Sequence, residues 1–310
     1  MENKTILVTG GAGYIGGFMV RNLHEKGYKV IVVDNTKRSE GKEFPEDVDF
    51  YNINIGDKEE LDKILKDNKI DGVIHFAGFI SMGESMENPY IYFKNNTFKS
   101  LKLLELLKNN DIRNIIFSST AGVYGHPDQL PIPEDSPKNP SNPYGESKLM
   151  FERILDWYQK IFGTSYASLR YFNACGASID GKYGESHQPE THIIPCAMKA
   201  LLSSSQFELY GTNYDTTDGT CVRDYIHVLD LVEAHVLALE KIMRDPGGYI
   251  YNVGTGKGYS NREIIDVIEK VTGKKLDIVE KDKRPGDAKE LVAQVSSIKE
   301  ELGFSPKYSD

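Results

Sequence analysis

Apolar and polar positions along the first half of this chain repeat in two rhythms. Short runs dense in valine, isoleucine and phenylalanine read as strands: "TILVT" (Thr5–Thr9), "KVIVVD" (Lys29–Asp34), "DFYNINI" (Asp49–Ile55), "GVIHFA" (Gly72–Ala77) and "NIIFSS" (Asn114–Ser119). Between them lie stretches with helical spacing, including Lys58–Asn68 and the longer Tyr90–Asn109. Apolar strands that alternate with amphipathic helices predict an α/β fold built on a doubly wound parallel sheet. A proline-rich loop, "HPDQLPIPEDSPKNPSNP" (His126–Pro143), follows the last of these strands, and loops of that length often serve function. Beyond about Arg170 the rhythm loosens, with loops expected at Ala174–Glu190 and Thr212–Gly219. The expected division is a first domain over residues 1–172 and a smaller α/β domain over 173–310. The chain is expected to cross back to the first domain around 220–250.

Composition narrows the function classes. With 39% hydrophobic and 27% charged residues the chain is ordinary for a soluble globular protein. A net charge of -9 with no basic block argues against nucleic acid as a partner. No apolar run is long enough to span a membrane, and "TILVTGGAG" is too short and glycine-rich for a signal peptide. Cys175, Cys196 and Cys221 are far apart and form no C-x-x-C, so neither a metal site nor a disulfide is expected. Free thiols in a reducing cytoplasm fit this pattern.

"VTGGAGYIGG" follows the first strand and opens a helix. Gly10, Gly13 and Gly16 form G-x-x-G-x-x-G, and Gly11, Gly13 and Gly16 satisfy G-x-G-x-x-G. Glycines at this spacing let the backbone approach a pyrophosphate, which then lies on the helix N-terminus. The second strand ends at Asp34, where a carboxylate can accept from ribose hydroxyls and would repel a 2′-phosphate. Lys37 and Arg38 would suit NADP, but the position of the acid favours NAD.

"SNPYGESKLM" (Ser141–Met150) supplies the reacting groups. Ser141 or Asn142 can cap a helix with Pro143 at its first position, so Tyr144 lies in the first turn and Lys148 shares its face. A phenol with a pKa of ~10 needs about 4 kcal/mol of differential stabilisation to reach ~7. An ammonium ~5 Å away at an effective dielectric of ~20 supplies about 3 kcal/mol. The helix N-terminus adds roughly 0.3–1 kcal/mol, and an oxidised nicotinamide ring would add another positive charge. The spacing therefore predicts a phenol of lowered pKa that takes a proton from an alcohol. Thr120, in "FSSTAGVYG", can donate to the same oxygen.

"TGGAGYIG", "VVDN", "HFAG", "FSSTAGVYG", "NPYGESK", "LRYFNACGA" and "GTCVRDYIHVLDL" occur in the order seen in extended short-chain dehydrogenases. From Lys4 to about Tyr308 the chain most closely resembles the UDP-galactose (UDP-glucose) 4-epimerases. That resemblance implies a Rossmann-like NAD-binding domain, a UDP-sugar-binding domain and redox-neutral inversion at C4 of a UDP-hexose through a 4-keto sugar. Some activity on N-acetyl forms is also expected. It implies Tyr144 as base, Lys148 as its electrostatic partner and Thr120 as hydroxyl donor. Cofactor contacts are implied at Gly10, Gly13, Tyr14, Ile15, Gly16, Asp34, Asn35, Asn54, Ile55, Phe76, Ala77, Gly78, Asn96, Ser118, Tyr171 and Phe172. Substrate contacts are implied at Asn173, His192, Ile193, Arg223, Arg284, Asp287 and Leu291, the last facing the sugar's C2 substituent.

Several positions depart from the family pattern. Asn54 stands where an aspartate is common, and Ile80 where some members have lysine. The sequence ends at "FSPKYSD", where relatives usually continue into a terminal helix. Related 4,6-dehydratases and UDP-glucuronate decarboxylases place acids where Ala121 and Gly122 stand, which argues against both. A UDP-pentose or UDP-hexuronate 4-epimerase and a catalytically silent NAD-binding regulator stay open. Tyr90–Leu107 and Leu149–Phe162 are apolar on more than one face, as a cytoplasmic homodimer joined by two helices per subunit would require. Ile91, Phe98, Leu101, Leu104, Phe151, Ile154, Trp157 and Ile161 are the candidate interface residues.

Overall fold

The computed structural model describes residues 4–38, 44–186 and 190–309; residues 187–189 of the expected loop Ala174–Glu190, and Asp310 of the last motif, lie outside them. The apolar runs form β1 (Thr5–Thr9), β2 (Lys29–Asp34), β3 (Asp49–Asn52), β4 (Gly72–His75), β5 (Asn114–Ser118) and β6 (Ser165–Tyr171). The second half adds β7 (Asn173–Cys175), β8 (Gln206–Tyr210), β9 (Val222–His227) and β10 (Gly248–Val253). It ends with β11 (Gly258–Ser260), β12 (Asp277–Lys281) and β13 (Glu290–Leu291). Seven of these make one sheet in the order β10-β6-β5-β4-β1-β2-β3, parallel throughout. The order reverses between β1 and β4, which opens a crevice at the carboxyl ends of the strands.

Helices cover both faces because the central strands are apolar on both. Tyr14–Glu25 and Val228–Arg244 pack on one face through Phe18, Leu23, Leu231 and Leu239. Lys58–Asp67, Lys99–Asn109 and Pro143–Phe162 cover the other through Leu61, Leu103, Phe151 and Leu155. A separate cluster joins helices Ile193–Ser203 and Asn261–Thr272 to the parallel pair β8–β12. β9 links the two regions, pairing with β7, β11 and β13. Its buried Asp224 accepts from the Thr255, Gly256 and Ala293 amides and the Thr255 hydroxyl.

Three expectations need correction. β3 stops at Asn52 because Asn54 accepts from the Gly56 amide and turns the chain into the next helix. The segment Tyr90–Asn109 is not one α-helix, since a π-helical stretch, Phe93–Phe98, interrupts it. The widened turn carries Asn96 to the Phe79 backbone and Thr97 to the Ser147 carbonyl, contacts that a regular helix would forgo. Leu104 and Phe151, two candidate interface residues, are buried in the chain's own core, whereas Phe98, Trp157 and Ile161 face outward. The proline-rich loop is also anchored: Ile132 bridges Ala293 and exchanges backbone hydrogen bonds with Val292 and Gln294.

Candidate active site

A cleft of about 340 Å³ lies where β1, β2, β4, β5 and β6 end, and residues from β7, β9 and β13 close its other side. Its wall contains Gly10, Gly13, Tyr14, Ile15, Gly16, Asp34, Asn35, Asn54, Ile55, Phe76, Ala77, Gly78, Ser118, Thr120, Tyr144, Tyr171 and Phe172. Asn173, His192, Arg223, Asp287 and Leu291 line the opposite part. Four predicted residues are not in the wall. Lys148 and Asn96 are buried behind it. Ile193 begins a helix beside His192, and the Arg284 guanidinium lies 4.1 Å over the Tyr210 ring.

The glycine turn fits a dinucleotide pyrophosphate. Gly10 has φ +75°, and a Cβ there would meet the Ala77 amide at 2.5 Å; one on Gly16 would meet the Gly10 carbonyl at 2.2 Å. Only glycine brings these backbones together and leaves the start of helix Tyr14–Glu25 open to an anion. Asp34 fixes the turn by accepting from the Ala12 amide at 3.0 Å and the Thr36 amide at 2.8 Å. Arg38 is forked onto Glu84 with two contacts of 2.7 Å and lies over the Phe79 ring. Asn96 accepts from the Phe79 amide and donates to the Phe79 carbonyl and the Ser147 hydroxyl, so it holds the cleft wall from behind.

Asn142 caps helix Pro143–Phe162 by accepting from the Gly145 amide at 2.9 Å. Tyr144 and Thr120 both line the cleft, and the Thr120 hydroxyl accepts from the Gly122 amide at 3.0 Å. Lys148 donates to the Ser118 carbonyl at 2.8 Å, and its Nζ lies 6.0 Å from the Tyr144 ring centroid. Burial drives Lys148 down to about 8, and the Glu152 carboxylate opposes the fall. Burial also pushes the Tyr144 phenol above its usual range, with the nearby Thr120 side chain pulling the other way. The lowered phenol expected from Y-x-x-x-K is therefore not produced by the protein's own groups. Desolvation of the first helical turn outweighs an ammonium that is already bonded to a carbonyl.

At the far end Arg223 donates to the Val222 carbonyl at 2.9 Å and lies 3.9 Å from the Asp287 carboxylate. His192 Nδ1 is 2.7 Å from Glu185 and 3.2 Å from Glu190. Both acids hold the imidazole protonated against the effect of burial and raise it to about 9. Glu185, Phe79, Met82 and Ile53 line the cleft without being predicted. Their only sequence signal is proximity to a motif: Ile53, Phe79 and Glu185 lie in loops, and Met82 opens the short helix Met82–Glu87, where apolar periodicity is silent.

Residues 6–254 match the NAD dependent epimerase/dehydratase family. The chain is 44% identical over 306 residues to the UDP-glucose 4-epimerase of Lactobacillus helveticus, an alignment spanning 98% of this chain and 93% of the relative. It superimposes on the crystal structure of the UDP-glucose 4-epimerase from Brucella ovis in complex with NAD with a TM-score of 0.94 and 42% identity, over 99% of this chain and 94% of that one. For the Bifidobacterium longum enzyme in complex with NAD+ and UDP the values are 0.92 and 40%, over 98% and 94%.

The His192 cluster sets a pH dependence. A pKa raised on folding means that the native state binds the proton more tightly than the unfolded chain. That stabilisation is complete below the ordinary histidine value of ~6.5. It is lost as pH rises through about 9. Urea midpoints are expected to fall across that window in the unmodified protein and to fall less in His192→Asn. Parallel curves would show that the cluster does not couple to folding.

Proposed function

The chain belongs to the NAD dependent epimerase/dehydratase family, and from that premise we propose that it interconverts UDP-glucose and UDP-galactose by inverting C4 of the sugar. One observation carries this reading: Tyr144 and Thr120 meet in the cleft that the glycine turn opens, with Lys148 buried behind them. A silent regulator would have no use for that grouping, and no residue of the cleft favours a pentose or hexuronate.

NAD is the cofactor, with Gly10, Gly13 and Gly16 at its pyrophosphate, Asp34 and Asn35 at the adenosine ribose, and Phe76 to Gly78, Tyr171 and Phe172 along its length. When bound, it supplies the acceptor and donor of the C4 hydride and the positive charge of its oxidised ring. Tyr144 takes the proton from the C4 hydroxyl and later returns it to the same oxygen. Thr120 donates a hydrogen bond to that oxygen as charge develops on it. Lys148 holds a positive charge behind the phenol and lowers the cost of the phenolate. Inversion requires the sugar to present its other face while the UDP moiety stays held. Asn173, Asp287 and the cations His192 and Arg223 form that anchor at the far end of the cleft, and Arg284 and Ile193 complete it from the rim.

The division of labour is a cofactor domain over 1–172 and a UDP-sugar domain over 173–310, with Val228–Arg244 and β10 returning to the first sheet. No helix of the described residues is long and apolar enough to cross a membrane, and the three cysteines are free, which supports a cytoplasmic location. A homodimer is supported by the outer faces of the two interface helices, where Tyr90, Phe98, Trp157 and Ile161 are each more than half exposed.

Three measurements test this reading. A coupled assay on UDP-galactose should show turnover, and Tyr144→Phe and Lys148→Met should each lower it by orders of magnitude with the fold intact by circular dichroism. Near-normal turnover in Tyr144→Phe would falsify the base assignment. Light scattering at micromolar concentration should give twice the chain mass, and a fully active monomer would sink the dimer. Leu291 is intermediate in size, so UDP-N-acetylgalactosamine should also turn over, with discrimination of only about 1–3 kcal/mol. Leu291→Tyr should then depress kcat/KM for the N-acetyl sugar far more than for UDP-galactose. Equal losses would mean that Leu291 is not the gate.

A further inference from the structure

Helix Pro143–Phe162 presents three polar side chains at four-residue spacing, Tyr144, Lys148 and Glu152, on one face. They meet three consecutive residues at the end of β5. Thr120 lines the cleft with Tyr144, the Ser118 carbonyl accepts from Lys148, and the Ser119 hydroxyl donates to Glu152. Glu152 is also forked by Arg170 of β6, with Nε to Oε1 at 3.0 Å and a terminal nitrogen to Oε2 at 2.7 Å. Arg170 donates further to the Tyr124 hydroxyl and the Glu134 carbonyl, both at 2.9 Å. The two charged side chains are 2% and 4% exposed.

A buried ion pair of this kind rarely stabilises a fold more than apolar residues of the same size would. Its position suggests another use. We infer that Glu152, held by Arg170 and Ser119, is a positioning residue that sets both the place and the charge of Lys148 behind Tyr144. The inference rests on the assignment of Tyr144 and Lys148 as the working pair.

The surroundings of Lys148 leave Glu152 as the group that keeps it protonated. From its own helix come Tyr144 and Glu152, while from β6 Tyr171 bonds the Ser118 hydroxyl and Arg170 the Glu152 carboxylate. β4 contributes His75, which burial and the ammonium drive to about 3 and so keep neutral. Phe117 of β5 presents its ring 5.0 Å from Nζ. Among these only the Glu152 carboxylate opposes the effect of burial on Lys148. Arg170 shares that carboxylate, so it limits how far Glu152 can raise the lysine.

The two partners of the ion pair must therefore act in opposite directions. The test is the titration midpoint of the Lys148 Cε resonance in the NAD-loaded full chain, assigned by its loss in Lys148→Met, with kcat and KM for UDP-galactose alongside. Glu152→Gln should lower the midpoint by about one pH unit and Arg170→Met should raise it. In both variants kcat should fall about tenfold or more while KM changes little. An unmoved midpoint, or shifts of the same sign in both variants, would overturn the inference and leave a merely structural pair. Should Glu152→Gln not fold, Glu152→Asp withdraws the same charge by one methylene. It too must lower the midpoint, and an unchanged value overturns the inference. The midpoint is independent of turnover, so an inactive unmodified protein would count against the assigned reaction and not against this coupling.

Discussion

The docking of helix Pro143–Phe162 against the end of β5 decides where Tyr144 and Lys148 sit in this fold. The approach is close enough that a Cβ on Gly145 would lie 2.6 Å from the Gly122 carbonyl. Asn142 caps the first turn and the Thr97 hydroxyl donates to the Ser147 carbonyl, so the helix can neither slide nor unwind without losing a buried hydrogen bond. Once its start is fixed, the four-residue period places Tyr144 against Thr120 and Lys148 against Ser118. The glycine of "NPYGESK" thus serves packing, and that packing aims the tyrosine.

The cations around the cleft come with their own acids. Arg223 has Asp287, His192 has Glu185 and Glu190, Arg38 has Glu84, and Lys148 has Glu152 one turn behind. In a protein of net charge -9 this arrangement holds long cationic side chains in place while the overall field stays negative. An anionic ligand is then recognised by where the pinned cations sit and not by bulk attraction. The arrangement also separates two kinds of charge. Carboxylates beside His192 raise its pKa to about 9, whereas burial lowers Lys148 to about 8 against the pull of Glu152.

Much of this was legible in the sequence because the signals were local. Apolar runs bounded by glycine gave β1, β2 and the sheet class, and the glycine spacing marked the close turn after β1 by steric necessity. What stayed hidden was set by tertiary contact. The π-helical stretch at Phe93–Phe98 has no periodicity signature, and its Asn96 bonds the distant Phe79 backbone. Leu104 and Phe151 could not be told from interface residues, because an apolar stripe does not say which neighbour covers it. The desolvation of Tyr144 was hidden for a related reason: i,i+4 spacing gives a distance to Lys148 but not the depth of burial. Arg284 resembles a cleft residue by motif, yet its guanidinium stacks on Tyr210 outside the wall.

The choice between NAD and NADP depends on the same pairing rule. Lys37 and Arg38, four residues or fewer beyond Asp34, are what a 2′-phosphate would need. Arg38, however, is forked onto Glu84, which also accepts from Tyr92, and is stacked on Phe79, so its donors are directed across the cleft rim. Lys37 is exposed and offers a solvated point charge. The Asp34 carboxylate is oriented at the end of β2 by the Ala12 and Thr36 amides. A second phosphate there would meet that fixed negative charge and find the nearest arginine already paired. A ribose hydroxyl would find an acceptor. Two sequence signals that pointed in opposite directions are reconciled once Arg38 is assigned its partner.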